Sequence, residues 1–444
     1  MKKLYISLLL VIILGAFGCS SMMTVTNYKT IEEKVDKNQF SLAIQELEKS
    51  KKQYKPKDKV LYFLDYGMLS HCAGNYSQST TSLQKADFSM EEAYTKSVAK
   101  AGQSMLLNDN SLAYSGEDYE NIYTNVFNAL NYLQQGKSSD GFVEIRRMNE
   151  KLNALEDKYK PSKKVKSISK KVKFYNDALG RFLSLLMYRT EGQYDDAAID
   201  YRKIQEAWKL QPNLYNFKNR LTKKVIRKSD KAKLDIIAFA GKSPIKKASV
   251  FYLTSHKNYF NITSTSPEQF NQNIPWNCSE GYHFKFSVPY IVQRPSVVNQ
   301  IKVKIDDEVS KELFLFEDMG RIAEKTFENK RNTIYAKTLI RTITKGILAE
   351  KQKAKIKKKN TGLAGSLLSL AVDVGADLTE NADLRLSHFF PSKAYVNEIE
   401  LPAGEHTIQI EYYDKYDNIL YVEDYGKQII SNNSLNLIES FYYQ

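Results

Sequence analysis

Apolar residues recur with a helical period from about Asn38 to Arg227, and with a period of two from about Ser229 onward. The second stretch opens on "KLDIIAFA", a short apolar run. "ASVFYL", "YHFKFSVP" and "NQIKVKI" follow, each alternating and rich in β-branched or aromatic residues. Between them "STSPEQFNQNIPWNCSEG" is polar and carries two prolines, which predicts a loop. A helical period returns at about Glu317, with a break expected near Asn332. Ile334, Thr338, Ile340, Ile343, Ile347 and Leu348 form its apolar stripe. Alternation then resumes: Ile408, Ile410 and Tyr412 face one way, Thr407, Gln409 and Glu411 the other, with "PAG" and "YDN" as turns. The order predicts a multidomain α+β chain, in which an all-α array precedes an antiparallel β domain with a helical insertion. The expected boundaries are 38–228 for the helical domain, 229–316 for a first β block, 317–385 for a helical excursion and 386–444 for a C-terminal β block. The two β blocks are expected to complete one domain; a separate C-terminal sandwich is the alternative.

Four stretches of the helical half share a turn pattern. "NQFSLAIQELEKS", "GNYSQSTTSLQKA", "GKSSDGFVEIRRM" and "GQYDDAAIDYRKI" start near positions 38, 74, 136 and 192. In three of them an aromatic follows two places on, and a small residue precedes a large apolar one. Gly67 and Ala129 supply the small residue of the preceding helix. The pattern resembles the tetratricopeptide hairpin, although only the first interval approaches the period of about 34 residues. Such arrays carry no chemistry and present a concave surface to a partner. Asn128, Asn131, Tyr132, Glu144 and Arg147 are the candidates for lining that groove. The competing reading makes Glu144 and Arg147 a solvated pair three residues apart.

At the front, Met1, Lys2 and Lys3 precede an almost unbroken apolar run from Leu4 to Leu14. That is a charged region and a hydrophobic region of signal-peptide length, short of the roughly 20 residues that span a bilayer. Ala16, Phe17 and Gly18 lead to Cys19 in a stretch that resembles a bacterial lipobox, with Ala16 where that motif usually has Leu. The resemblance implies that 1–18 is removed, that Cys19 is lipidated, and that 19–37 links the anchor to the helical domain. Ser20, where Asp would retain a lipoprotein at the inner membrane, implies the outer membrane and its periplasmic face. An ordinary secretory signal with an incidental Cys19 is the alternative.

Composition changes this picture little. The formal charge of +14 is mostly a lysine excess in a chain read as exported, so nucleic acid is not an expected partner. Lys351, Lys353, Lys355, Lys357, Lys358 and Lys359 gather at one helix end. They are candidates for contact with anionic headgroups or another polyanion, against a plain solvated helix end. "TGLAGSLLSLAVDVGADLTE" (361–380) reads as a small-residue helix packed on the domain, with docking on a membrane or partner as the alternative. Cys72 and Cys278 read as separate buried thiols, a disulfide being the other reading. There is no CxxC and the five His are scattered, so no metal or cofactor is expected.

No nucleophile elbow, zinc-helix or phosphate-loop motif occurs. His71 beside Cys72 reads as packing, because adjacent helical residues point about 100° apart. His283 and His388 read as structural, and Asp306, Asp307 and Glu308 as a solvated turn rather than a calcium loop. Taken in order, "YTNVFNALNYLQQGKSSDGFVEIRRMNEKL", "AGKSPIKK", "FSVPYI", "RIAEKTFENKRNTIYAKTLIRTITK", "TENADLRLSHFFPSKA" and "ELPAGEHTIQIEYYD" resemble a family of uncharacterised bacterial lipoproteins. In that family a tetratricopeptide-like half precedes a strand-helix-strand half. The resemblance implies an envelope protein without catalytic residues, in a family some members of which are accessory to peptidoglycan-building machinery. Ser387 stands where the family pattern has an aromatic. The expected function is a lipid-anchored scaffold or adaptor of the cell envelope that binds proteins through its helical array. One alternative is a cell-wall-active or glycan-binding enzyme in the strand-rich half, which needs two carboxylates about 5 to 10 Å apart in a cleft. Another is peripheral membrane binding through the basic helix 333–359.

Overall fold

The computed structural model describes residues 25–99, 108–159, 176–212, 214–215, 220–227, 229–264, 269–278, 280–307, 309–359 and 381–444. The signal segment, Cys19 and the 361–380 stretch lie outside these residues. The chain is α+β, with a helical N-terminal half and a strand-rich C-terminal half.

Among the described residues of the N-terminal half the α-helices come in four hairpins: α1 (Val25–Val35) with α2 (Phe40–Lys49), α3 (Lys59–Cys72) with α4 (Tyr76–Ala99), α5 (Asp118–Gln134) with α6 (Ser138–Tyr159), and α7 (Ala178–Thr190) with α8 (Tyr194–Leu210). One local device makes all four turns. Asn38, Gly74, Gly136 and Gly192 take φ of 53°, 75°, 70° and 76°, where glycine is favoured and asparagine tolerated. The next amide then reaches back five residues, as in Asn75 N–H to Ser70 O at 2.8 Å and Gln193 N–H to Tyr188 O at 2.8 Å. The last carbonyls of each first helix are thereby satisfied. Helix α1 falls inside the expected 19–37 linker, and it is part of the core through Tyr28, Ile31 and Val35.

Strands β1 (Ala232–Lys242), β6 (Gln300–Ile305), β7 (Val309–Asp318), β8 (Pro391–Leu401), β9 (Gly404–Tyr413), β10 (Ile419–Ile430) and β11 (Asn436–Tyr442) form one sheet in the order β10-β9-β6-β7-β8-β1-β11. Both β blocks contribute to it. The β1–β11 pair is parallel and the other neighbours are antiparallel. Strand β1 is buried on both faces, which is why its sequence is almost continuously apolar. Ile237, Phe239, Phe316, Val396 and Phe441 face the helices. Leu234, Ile236, Leu313, Tyr395 and Ile438 face the other way, onto Ile301, Val303, Ile408, Ile410 and Tyr412 of the far strands. The sheet therefore curls around a second core. Side chains close the curl: Tyr421 stacks on Tyr442 at 5.2 Å, Tyr412 Oη donates to Ser440 Oγ at 2.7 Å, and Tyr425 Oη donates to Glu439 O.

A second sheet, β4-β3-β2-β5, comprises β2 (Ile245–His256), β3 (Tyr259–Ser264), β4 (Phe270–Pro275) and β5 (His283–Val292). Strand β4 lies in the segment expected to be a loop. It is an almost wholly exposed edge, so no alternation marks it. Helix α9 (Met319–Lys359) is continuous through Asn332, where a break was expected. Asparagine costs a helix interior only about 0.7 kcal/mol, and packing on both sides outweighs that. Met319, Ile322 and Ala323 join the main core, while Tyr335, Leu339 and Ile343 cover the small sheet. Of the expected stripe, Thr338 and Ile343 are buried but Ile340 is exposed.

Candidate functional site

The first helices of the hairpins, α3, α5 and α7, pack against the seven-stranded sheet. Their apolar seam is aromatic: Phe127 lies 5.4 Å from Phe239 and 5.9 Å from Phe390, and Phe239 stacks on Phe441 at 4.8 Å. The inner side of the array, expected to be open to a partner, is thus filled by the chain's own sheet and by residues 385–390.

Four acidic networks cross this seam. In the first, Asp65 of α3 accepts from Tyr28 Oη at 2.7 Å, Ser387 Oγ at 2.8 Å and His388 N–H at 3.1 Å. Burial pushes its carboxyl up to about 7, despite these donors. Glu120 of α5 accepts from Ser387 N–H at 2.6 Å and Tyr114 Oη at 2.6 Å, and burial raises it too. His388 stacks on Tyr28 at 3.7 Å and bonds Glu32 at 2.7 Å, where Arg294 also donates at 2.7 Å. Burial works to raise Glu32, but these partners outweigh it and hold the carboxyl at about 2. Arg385 adds bonds to Asp58 at 3.0 Å and Leu112 O at 2.9 Å. The "RLSHFF" segment is therefore a buried strap, and Ser387 is a hydrogen-bonding link within it.

In the second network Glu317, at the end of β7, accepts from Tyr123 Oη, Tyr215 Oη at 2.9 Å and the α7 amides of Ala178 and Leu179 at 3.0 and 3.1 Å. Asp177 caps the same helix through Gly180 N–H at 2.6 Å. Burial raises both carboxyls, Asp177 to about 6; the charge of Asp177 raises Glu317 further, whereas hydrogen bonding with Glu317 works to lower Asp177. Both are fully buried under tyrosines, so this carboxyl pair is joinery between α7 and β7.

In the third, Arg189 of α7 donates to Asp235 of β1 at 2.6 Å, to Glu398 of β8 and to Val225 O at 2.9 Å. Lys233 donates to Glu398 at 2.9 Å. A crevice of about 250 Å³ opens beside it, lined by Phe182, Arg220, Lys224, Phe314, Glu398 and Glu400 among others. In the fourth, His71 Nδ1 lies 2.7 Å from Asn131 Oδ1, and its Nε2 lies 3.1 Å from Glu439 of β11. Cys72 Sγ lies 3.3 Å from Tyr443 Oη, and burial raises the thiol strongly.

The expected groove residues divide accordingly. Asn128, Asn131 and Glu144 are buried and do not line an open surface. Asn131 is tied to His71 and, through Nδ2, to Ser79 at 2.8 Å. Glu144 accepts from Asn125 at 2.6 Å. The next hairpin repeats that link at the same offsets from its glycine, as Arg181 to Asp200 at 3.1 Å. Tyr132 and Arg147 stay near the surface, with Arg147 3.6 Å from Glu144. The backbone of α9 reaches Lys359, but the side chains from Lys351 to Lys359 lie outside the described residues. Asp306 and Asp307 form the β6–β7 turn, and Asp306 pairs with His406 at 2.7 Å. Among the described residues no group of acids, His and Cys could hold a metal ion, and no helix is long and apolar enough to cross a membrane.

Comparison with protein-family models, with curated proteins and with solved structures finds no match.

Proposed function

We propose that the chain is a scaffold or adaptor of the cell envelope, held by lipid on Cys19 and acting without catalysis. Placement at the outer membrane with the body in the periplasm, and kinship of the hairpins with tetratricopeptide repeats, belong to the same reading. So does membership of the lipoprotein family that the motif order resembles, with service to peptidoglycan-building machinery. The observation that carries the reading is the occupied inner side of the array. Asp65 and Glu120 tie helices to the strap, Glu317 and Asp235 tie α7 to the sheet, and Asp177 caps α7. The array and sheet thus support each other as one body, and the outward helices meet the partner. Phe88, Val143 and Ile199 stand exposed there, Phe88 at 70%. Solvent-facing apolar side chains, one of them aromatic, suit a protein interface.

The test places a photo-crosslinking residue at position 88 or 199 in cells. Both positions should capture the same envelope protein. Failure at both, together with cleavage of peptidoglycan strands by the purified chain, would overturn the reading.

A glycan-cleaving enzyme has one observation in its favour. Glu398 and Glu400 share the crevice and lie two residues apart on β8, about 7 Å between Cα atoms. Against it, Arg189 and Lys233 both grip Glu398, which suits neither an acid nor a nucleophile. Loss of any wall-cleaving activity in Glu400→Gln would support this second reading.

A further inference from the structure

Five residues lie between Cys19 and Val25, the first residue of α1, a span of six residue steps. Fully extended, that length of chain reaches about 20 Å. Three residues into α1, Tyr28 meets Tyr54, their hydroxyls 3.4 Å apart. Tyr54 belongs to the loop between α2 and α3, where one-turn helices Lys51–Gln53 and Pro56–Asp58 display a run of lysines. Lys51, Lys52 and Lys55 are exposed, as is Lys29 beside Tyr28. Neighbouring acids are already engaged: Glu46 by Lys49 at 2.7 Å, Asp58 by Arg385 at 3.0 Å, and Glu48 by the Tyr66 hydroxyl at 3.3 Å. Lys51 stands over the Tyr62 ring at 5.4 Å and is itself exposed.

We propose that this loop, through Lys51, Lys52 and Lys55, rests on the anionic headgroups of the bilayer that holds Cys19. The proposal depends on the lipid-anchor reading. A lysine gains from an anionic surface only within about a Debye length, roughly 8 to 10 Å. A tether this short, leaving from the same corner of the molecule, lets the loop come within that range whenever the linking segment is less than half extended. The acyl chains and the lysines then act as two signals on one membrane. The α9 lysines are placed on a different element, after the small sheet, and have no such tether.

The experiment uses the lipidated protein in vesicles of neutral phosphatidylcholine, with or without 30% phosphatidylglycerol (about one charge in three headgroups). Lysines are labelled with an acylating reagent and located by mass spectrometry. Lys51, Lys52 and Lys55 should be protected in anionic vesicles and not in neutral ones. Exchange of the protein between vesicles should slow on anionic lipid by about fivefold per lysine, and the triple Lys→Gln variant should lose this difference. Equal labelling in both vesicles overturns the proposal, as does protection of Lys351 to Lys359 instead. Protection that needs a second envelope protein overturns it in favour of a protein partner. The mass of the N-terminal peptide separates the two readings: an unlipidated Cys19 removes the anchor itself, whereas a lipidated Cys19 with reactive lysines removes only the loop contact.

Discussion

Replacing Asp65 by Asn tests the account of the helix–sheet seam. The Asp65 carboxyl ionises at about 7 in the fold, against an ordinary value of 3.8. Between those values the folded chain holds a proton that the unfolded chain has released. Stability therefore falls as pH rises from about 4 to about 7, and this site favours mildly acidic conditions. Each pKa unit is worth about 1.4 kcal/mol, so ionised Asp65 weakens the fold by at most about 4 kcal/mol at pH 8. Asparagine keeps the shape and removes the titration. Its oxygen accepts from Ser387 Oγ and His388 N–H, and its amide donates to Tyr28 Oη, which turns to accept. Urea unfolding should show Asp65→Asn within about 1 kcal/mol of wild type at pH 5 and more stable than wild type at pH 8. Asp65→Ala should lose stability at both, by about 1 to 3 kcal/mol for each buried donor left without a partner. An Asn variant less stable than wild type at pH 8 would refute the reasoning, since it would mean that the seam needs the ionised carboxylate.

Three further outcomes are expected. Arg189→Ala strips the cation from Asp235 and Glu398 and should cost about 3 to 5 kcal/mol in urea unfolding, with Arg189→Met less damaging at pH 5 than at pH 8. Gly67→Ala would set a methyl 2.6 Å from Leu83 Cδ2, an overpacking worth about 1 to 3 kcal/mol; a second change, Leu83→Val, should recover part of it in the thermal midpoint. Cys72 and Cys278 are unpaired and sit in separate parts of the fold, so electrophoretic mobility should not change on reduction, and a thiol reagent should label the half-buried Cys72 more slowly in the fold than after denaturation.

Elements with one buried face were legible before the structure. The alternation over Ile408, Ile410 and Tyr412 is the clearest case, because those three side chains are fully buried. The hairpin turns were legible too, since a left-handed residue leaves a glycine or asparagine behind. Helix α1 was not, because the core side chains described in it are just Tyr28, Ile31 and Val35 and most of the rest of "VTNYKTIEEKV" is polar. The groove misled for a different reason. Polar residues on a helix usually face water, yet the partners of Asn131 and His71 lie on elements 60 and 368 residues away in sequence. One signal was present. Asn125, Asn128 and Asn131 are interleaved with Val126, Phe127, Ala129 and Leu130, which leaves that helix no polar face to expose.

Asn38, in the first hairpin, donates to the carbonyl of Phe441 on β11 at 3.1 Å, across 403 residues of chain. Beside it β11 lies parallel to β1, the most buried strand of the sheet. Contacts of such separation cannot form while the chain is still emerging, and they make late steps slow. The array consequently stays unfinished on its inner side until Asn436 to Tyr443 arrive. A product cut before Asn436 would lack Glu439, Phe441 and Tyr443 together, leaving His71 and the aromatic seam exposed to proteases. Strand β11 is thus the piece that seals the helical array against the sheet.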